Sequence, residues 1–250
     1  FGRDFQFTAK GGVTVTASGT AHTMGAWVTL IDPLSYDLFG LALEVRNVSA
    51  SVVDTRMLGD IGVSPTGGGN EQIVIPFLDW GAATVVAATL GKVWFFPLYV
   101  ASGKAVRARC QALIVSDTAL LHAYFFALPP HGFAEDAPQE WVQYGASAAA
   151  SRGTAVTSGS AVFGTEVQMT ASTSRNHRWF HVGIDLGTNT SLSAGRYRVR
   201  LARDTAASAV IGIWDFEITA AEAISGPGPS VPVCYPLPAG STLYIDIDGA

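Results

Sequence analysis

Arg196-Tyr197-Arg198-Val199-Arg200-Leu201 alternates strictly between a charged and an apolar or aromatic residue. Successive side chains of an extended chain point to opposite faces, so Tyr197, Val199 and Leu201 share one side and the three arginines the other. One buried and one solvated face is the pattern of an antiparallel strand over a core. Two more segments carry it. In Tyr244-Ile245-Asp246-Ile247-Asp248 the isoleucines face inward and the aspartates outward, and Val106, Ala108 and Cys110 alternate with Arg107 and Arg109. No segment sustains a 3.6-residue stripe. Only Thr219-Ala220-Ala221-Glu222-Ala223 admits a short helix, and a turn serves equally well there.

Composition agrees. Of 250 residues, 48% are hydrophobic and 14% charged, which excludes an intrinsically disordered chain. Short β-branched runs separated by Gly, Pro, Asn and Asp read as strands and turns. The length suffices for one large β domain or two ordinary ones. A net charge of −5 argues against binding through phosphates. The longest apolar stretches, Val93 to Ala101 and Ala119 to Leu128, fall well short of a membrane helix. Phe1-Gly2-Arg3-Asp4-Phe5 lacks the apolar segment of a signal peptide, and a start without Met is what a trimmed or partial chain has. Cys110 and Cys234 sit in apolar runs and read as buried small hydrophobes; a bridge between them is the less favoured alternative. Asn47-Val48-Ser49 and Asn189-Thr190-Ser191 match the N-glycosylation pattern, which chance also produces.

The chain repeats itself. Val13-Thr14-Val15-Thr16-Ala17-Ser18-Gly19 resembles Ala155-Val156-Thr157-Ser158-Gly159, and Gly25-Ala26-Trp27-Val28-Thr29-Leu30 then matches Gly164-Thr165-Glu166-Val167-Gln168-Met169. Leu41 to Val45 falls opposite Phe180 to Ile184, and Asp54 to Leu58 opposite Tyr197 to Leu201. The clearest match closes each copy: Phe96-Pro97-Leu98 or Tyr235-Pro236-Leu237, a Gly turn, then an alternating strand. The expected organisation is two tandem antiparallel β-sandwich, jelly-roll-like domains, 1–132 and 133–250, the second opening with Trp141-Val142-Gln143-Tyr144. Ser147 to Ser151 and Gly226 to Ser230 read as loops.

Chemistry is sparse. His177 and His181 are four apart, but Arg178-Trp179-Phe180-His181-Val182 reads as a strand and no third ligand lies nearby, so no metal is expected. The pairs Asp246/Asp248 and Asp215/Glu217 each share a strand face. Paired carboxylates serve glycoside hydrolysis, yet acids alternating on a strand face are met more simply by cross-strand arginines such as Arg196, Arg198 and Arg200. No G-x-S-x-G elbow, phosphate loop or nucleotide motif is present. No catalytic residue and no cofactor is assigned. The candidate interaction surface is the arginine set Arg107, Arg109, Arg196, Arg198 and Arg200, whose forks suit an acidic sugar or an acidic neighbouring subunit. Among the tryptophans Trp27, Trp80, Trp94, Trp141, Trp179 and Trp214, any exposed ring offers a sugar platform; packing is the simpler role.

The succession Gly25 to Leu30, Gly40-Leu41-Ala42-Leu43, Thr55 to Val63, Ile73-Val74-Ile75-Pro76, Phe96-Pro97-Leu98 and Arg107 to Gln111 resembles the tailed-phage virion structural proteins of the head-fibre, spike and tail group. It covers most of the first copy; in the second the aromatic-Pro-Leu turn is the main survivor, and Asp60-Ile61-Gly62 has no counterpart. The resemblance implies a β-sandwich used as a particle component and brings no active site. The expected function is a non-enzymatic virion protein that contacts copies of itself and other virion proteins, without nucleic acid or membrane insertion. The alternative is a carbohydrate-binding module or receptor-binding domain recognising a surface polysaccharide, and a polysaccharide hydrolase ranks behind both.

Overall fold

The structure, a computed structural model, describes residues 5–8, 11–47, 55–83, 92–127, 137–145, 153–160, 162–184, 195–204, 209–219, 223–225 and 232–249. Every regular element among them is a strand. The chain divides into two compact units, Phe1–Gln143 with Ala148–Ala150, and Tyr144–Ser147 with Ser151–Ala250.

The first unit holds β1 (Phe5–Phe7), β2 (Val13–Thr16), β3 (Val28–Ile31), β4 (Leu38–Asn47), β5 (Thr55–Pro65), β6 (Gln72–Ala83), β7 (Lys92–Val100), β8 (Lys104–Ala112) and β9 (Thr118–Phe126). One sheet runs β3-β8-β5-β6 and the other β1-β9-β4-β7, with β2 also on β9. Along β9 every second residue, Ala119, Leu121, Ala123 and Phe125, is fully buried. These meet Leu41, Leu43, Ile61, Val106, Ala108 and Phe96 in one continuous core. Burial of this kind, about 25 cal/mol per Å² of apolar surface, is what favours the sandwich over the open chain. Gly59 has a packing reason: a Cβ there would lie 1.9 Å from the buried Trp80 ring.

The second unit holds β10 (Gly159–Ser160), β11 (Val167–Thr170), β12 (His177–Phe180), β13 (Gly195–Arg203), β14 (Ala209–Thr219), β15 (Ala223–Ser225), β16 (Val233–Leu237) and β17 (Leu243–Gly249). One sheet runs β10-β17-β13-β14-β15, with β11 also on β17, and β12 pairs with β16. Its core gathers Phe180, Val199, Leu201, Trp214, Phe216, Leu237 and Ile245. Thr219 and Ala223, the ends of the ambiguous helix-or-turn stretch, are cross-strand partners.

The two units share a pairing scheme. Strands β3-β8-β5-β6 are matched by β11-β17-β13-β14, and β4-β7 by β12-β16. The same turn anchors both. Gly103 donates to the Leu34 carbonyl and Leu34 to Lys104; Gly240 donates to the Thr173 carbonyl and Thr173 to Ser241. Gly103 (φ 75°) and Gly240 (φ 80°) occupy the left-handed region that disfavours a side chain.

Counting from these anchors adjusts the sequence matches. Leu41 pairs with Phe96 and Phe180 with Val233, so Val233 occupies the place of Phe96, and Tyr235-Pro236-Leu237 stands two residues further on. Ile61 pairs with Ala108 and Leu201 with Ile245, so Leu201 corresponds to Ile61 rather than to Leu58. The opening match behaves differently in each unit: Val13–Thr16 forms β2, antiparallel on β9, whereas of Ala155–Gly159 only Gly159 is in a strand, β10, which lies parallel on β17.

The division falls after Gln143, where the sequence reading placed it after Gly132. Residues 138–141 bind the first unit. Tyr99 donates to the Pro138 carbonyl, and the Trp141 amide to Val74 at 2.6 Å. The Trp141 indole N–H reaches the Pro97 carbonyl at 3.1 Å, and its ring meets Phe96 edge-on at 5.1 Å. Trp141 thus closes an edge of the first sandwich rather than opening the second. The glycosylation tripeptides and the loops read at 147–151 and 226–230 lie wholly or largely outside the described residues.

Candidate interaction surface

β13 has β14 on one side and β17 on the other, and the register sets Arg198 opposite Asp248 and Arg200 opposite Asp246. The charged row expected from the alternation therefore meets the aspartate row directly. Arg200 Nε donates to Asp246 Oδ1 at 3.0 Å and Arg198 Nε to Asp248 Oδ2 at 3.0 Å. Arg196 turns instead to β14, with Nε 3.1 Å and Nη2 2.7 Å from the two Asp215 oxygens. Hydrogen bonding to Asp215, then its charge, raises the Arg196 pKa. Glu166 lies 3.8 Å from Arg200. The Phe163 ring covers this end of the row, 4.1 Å from the Arg200 guanidinium carbon and 5.5 Å from that of Arg198. Asp246 and Asp248 are 1% and 5% exposed, and each is held by an arginine.

The first unit builds a similar arrangement. Arg109 Nε donates to Asp60 Oδ2 at 2.9 Å beneath the Trp27 ring, whose centroid is 4.5 Å away. Asp60 Oδ1 accepts the Phe77 amide at 2.9 Å, which supports Phe77 at a φ of 46°. Arg107 Nη1 donates to Glu71 Oε1 at 2.9 Å. Gly68 lies against that guanidinium, where a Cβ would come within 2.3 Å of it. The Gly69 amide first, its own backbone next and Arg107 hold the Glu71 carboxyl below its usual range against the opposing effect of burial.

All five sequence-predicted arginines thus sit on outward sheet faces, each on a carboxylate of its own unit. An acidic sugar or subunit would have to displace an internal carboxylate to use their forks. Asp246, Asp248 and Asp215 are committed to arginine, which leaves them poorly placed as an acid–base pair.

His177 opens β12, which runs His177–Phe180 where the sequence reading has Arg178–Val182, and its Nε2 is 2.9 Å from the Tyr144 hydroxyl. The Ser174 amide donates to the same hydroxyl at 3.1 Å. Burial, then the charge of Arg175, lowers the His177 pKa. Among the described residues no group of three or more His, Cys, Asp or Glu is placed to hold a metal ion. No helix among them is long and apolar enough to cross a membrane.

Trp80, Trp94 and Trp214 are buried; Trp27, Trp141 and Trp179 are half-buried. None is an open platform. Cys110 and Cys234 are free thiols. Cys110 is buried, and burial followed by the Asp117 charge pushes its thiol up to about 12. Cys234 departs from the sequence reading: it is exposed, because β16 alternates and turns Cys234 and Pro236 outward.

No family model matches the sequence, and no curated protein matches it. Among solved structures the chain is similar to PNGF-II, with a TM-score of 0.33 at 9% identity over 98% of this chain and 62% of that one. It therefore spans less than two thirds of PNGF-II. It is also similar to the STIV MCP, a viral major capsid protein, with a TM-score of 0.29 at 10% identity over 99% of this chain and 96% of that one. Both likenesses are weak.

Proposed function

We propose that this chain is a non-enzymatic structural component of a virus particle, that of a tailed phage, acting through contacts with copies of itself and with other particle proteins. The observation that carries this reading is the division of labour on its surface. Charged side chains on the outward sheet faces brace their own strands, and large apolar side chains stand exposed on both units. Val115 is 50% and Phe7 59% exposed in the first; Val162 is 64% and Ile213 49% exposed in the second. Rigid sheets carrying exposed apolar and aromatic side chains suit subunit contacts, which need complementary surface rather than turnover. The sequence resemblance to head-fibre, spike and tail proteins supplies the kind of particle. The reading needs no cofactor, nucleic acid or membrane.

Gold-labelled antibody against the chain, viewed on purified particles by electron microscopy, tests it. Label on heads, necks or tails is the expected result. Particles that stay bare, under conditions where the antibody binds the purified chain, would overturn the proposal and bring the carbohydrate-binding alternative forward.

A further inference from the structure

At one end of the first sandwich two loops cross between its sheets side by side. Residues 17–27 lead from β2 to β3, and residues 113–117 lead from β8 to β9. Backbone hydrogen bonds fasten the two crossings together. Ala17 donates to the Asp117 carbonyl at 2.7 Å, Ser116 to Ser18 at 2.9 Å, His22 to Ala112 at 2.9 Å and Gly25 to Cys110 at 2.8 Å.

The second loop carries three large aliphatic residues in succession, Leu113, Ile114 and Val115. Val115 is 50% exposed, and Leu113 and Ile114 are half-buried and lie outside the first core. Ser116 beside them and Thr20 on the companion loop are exposed hydroxyl residues. Neither 11–31 nor 110–116 contains an Asp, Glu, Lys or Arg, and Asp117 is buried, at 2% exposed. A run of aliphatic side chains at a loop tip, on charge-free loops, is a contact surface rather than an ordinary solvated turn.

We propose that this tip dips into the surface of a neutral phospholipid bilayer. Size and composition favour lipid over protein. A stable protein contact needs about 800 Å² per partner, far more than three aliphatic side chains cover. The residues that anchor protein contacts are Trp, Tyr and Arg, whereas Leu, Val, Ser and Thr are scarce among them. Leu, Ile and Val are the side chains that hydrocarbon favours, and charged ones are those it rejects. Two loops without Lys or Arg, on a chain of net charge −5, give anionic headgroups nothing to attract, so the bilayer is a neutral one. The cross-loop hydrogen bonds hold the tip in shape before it meets the bilayer, and little ordering is left to oppose insertion. A tip at the headgroup boundary needs no apolar span of membrane length, so the shortness of the apolar stretches does not bear on it. Lipid contact goes beyond the particle assignment and leaves Phe7, Val162 and Ile213 for subunit contacts.

Flotation of the full chain with phosphatidylcholine vesicles tests the proposal. The wild-type chain should rise with the vesicles. Val115→Asp and Ile114→Asp should each weaken partitioning about tenfold. Val115→Leu should keep it, and Val162→Asp, at a 64% exposed valine of the second unit, should leave it unchanged. Circular dichroism checks that Ile114→Asp still folds, and Val115→Asp, at an exposed position, gives an answer if it does not. A wild-type chain that stays with the unbound protein overturns the proposal, as does flotation that both aspartate variants of the tip retain. Flotation only with vesicles containing phosphatidylglycerol overturns it too, since charge would then drive the contact. Light scattering that shows a wild-type oligomer converted to monomer by Val115→Asp does the same, since the tip is then a protein contact. Particle labelling is read separately, so either proposal can fail alone.

Discussion

Asp60 on β5 holds Arg109 on β8, and Arg200 on β13 holds Asp246 on β17; within the shared pairing scheme these are the same two positions with the charges exchanged. Each pair lies against an aromatic ring, Trp27 in the first unit and Phe163 in the second. In both, the acid is buried, with Asp60 0% and Asp246 1% exposed. The position demands opposite charges across two strands, and it is indifferent to which strand carries which. Whole-residue comparison scores this as two mismatches, although the physics is conserved between the units. The remainder of each site is individual. Asp60 also secures the Phe77 backbone, whereas Asp246 shares Arg200 with Glu166.

The largest effects should come from breaking one partner. Asp60→Ala leaves the mostly buried Arg109 guanidinium without its carboxylate and should cost about 3–5 kcal/mol in denaturant unfolding, whereas Asp246→Ala leaves Arg200 with Glu166 at 3.8 Å and should cost less. Asp60→Ala should be the worse of the two, because the Phe77 amide loses its acceptor as well. Equal losses would remove the distinction between the sites.

Trp141→Ala comes next, at about 2 kcal/mol, less than a fully buried tryptophan because Trp141 is half-exposed. Hydrogen exchange should then speed up along β6 and β7 and stay unchanged along β13 and β17. Acceleration confined to the second unit would return Trp141 to the place that the sequence reading gave it.

A smaller, pH-dependent difference separates His177 from Leu38, which occupies the corresponding position in the first unit. The folded His177 has a lowered pKa, so the unfolded chain binds the proton more readily. Its contribution is therefore complete above the unfolded histidine value of about 6.5 and declines as the pH falls through it. Unfolding midpoints measured at pH 7.5 and 5.5 should drop more in the wild-type chain than in His177→Leu. A drop of the same size in both would remove His177 from the account. The smallest effect is expected for Arg196→Ala. Arg196 and Asp215 have side chains 71% and 49% exposed, and the unfolding midpoint should not move measurably.

Strict alternation made the Arg196–Leu201 strand legible, and it even pointed to Asp246 and Asp248 as partners, because an ionic complement is explicit in residue types. Relative register was harder to read. A strand repeats every two residues, so Tyr235-Pro236-Leu237 can stand two positions from its apparent match and keep the same face. The Leu58–Leu201 match misled through identity alone: it would have set Met57 opposite the place of Arg200, although Met57 is core. The row that cross-strand register makes of Phe7, Tyr124, Ala42 and Phe95 stayed hidden for another reason. Along Thr118–Phe126 both faces become apolar toward Phe125 and Phe126, so period two cannot tell core from surface, and the row exists only once four strands are aligned. Trp141-Val142-Gln143-Tyr144 reads as the opening of the second domain, yet its tryptophan is held by carbonyls on β6 and β7 that lie far away in sequence.

The measurement closest to the central claim is the charge exchange itself. Asp60→Arg with Arg109→Asp gives the first unit the polarity of the second. Denaturant unfolding of the double variant should recover a substantial part of the stability lost in either single variant, short of full recovery because the Phe77 amide remains without its acceptor. A double variant as unstable as the sum of the singles would show that the two positions do not obey one rule, and would contradict the shared construction of the two units.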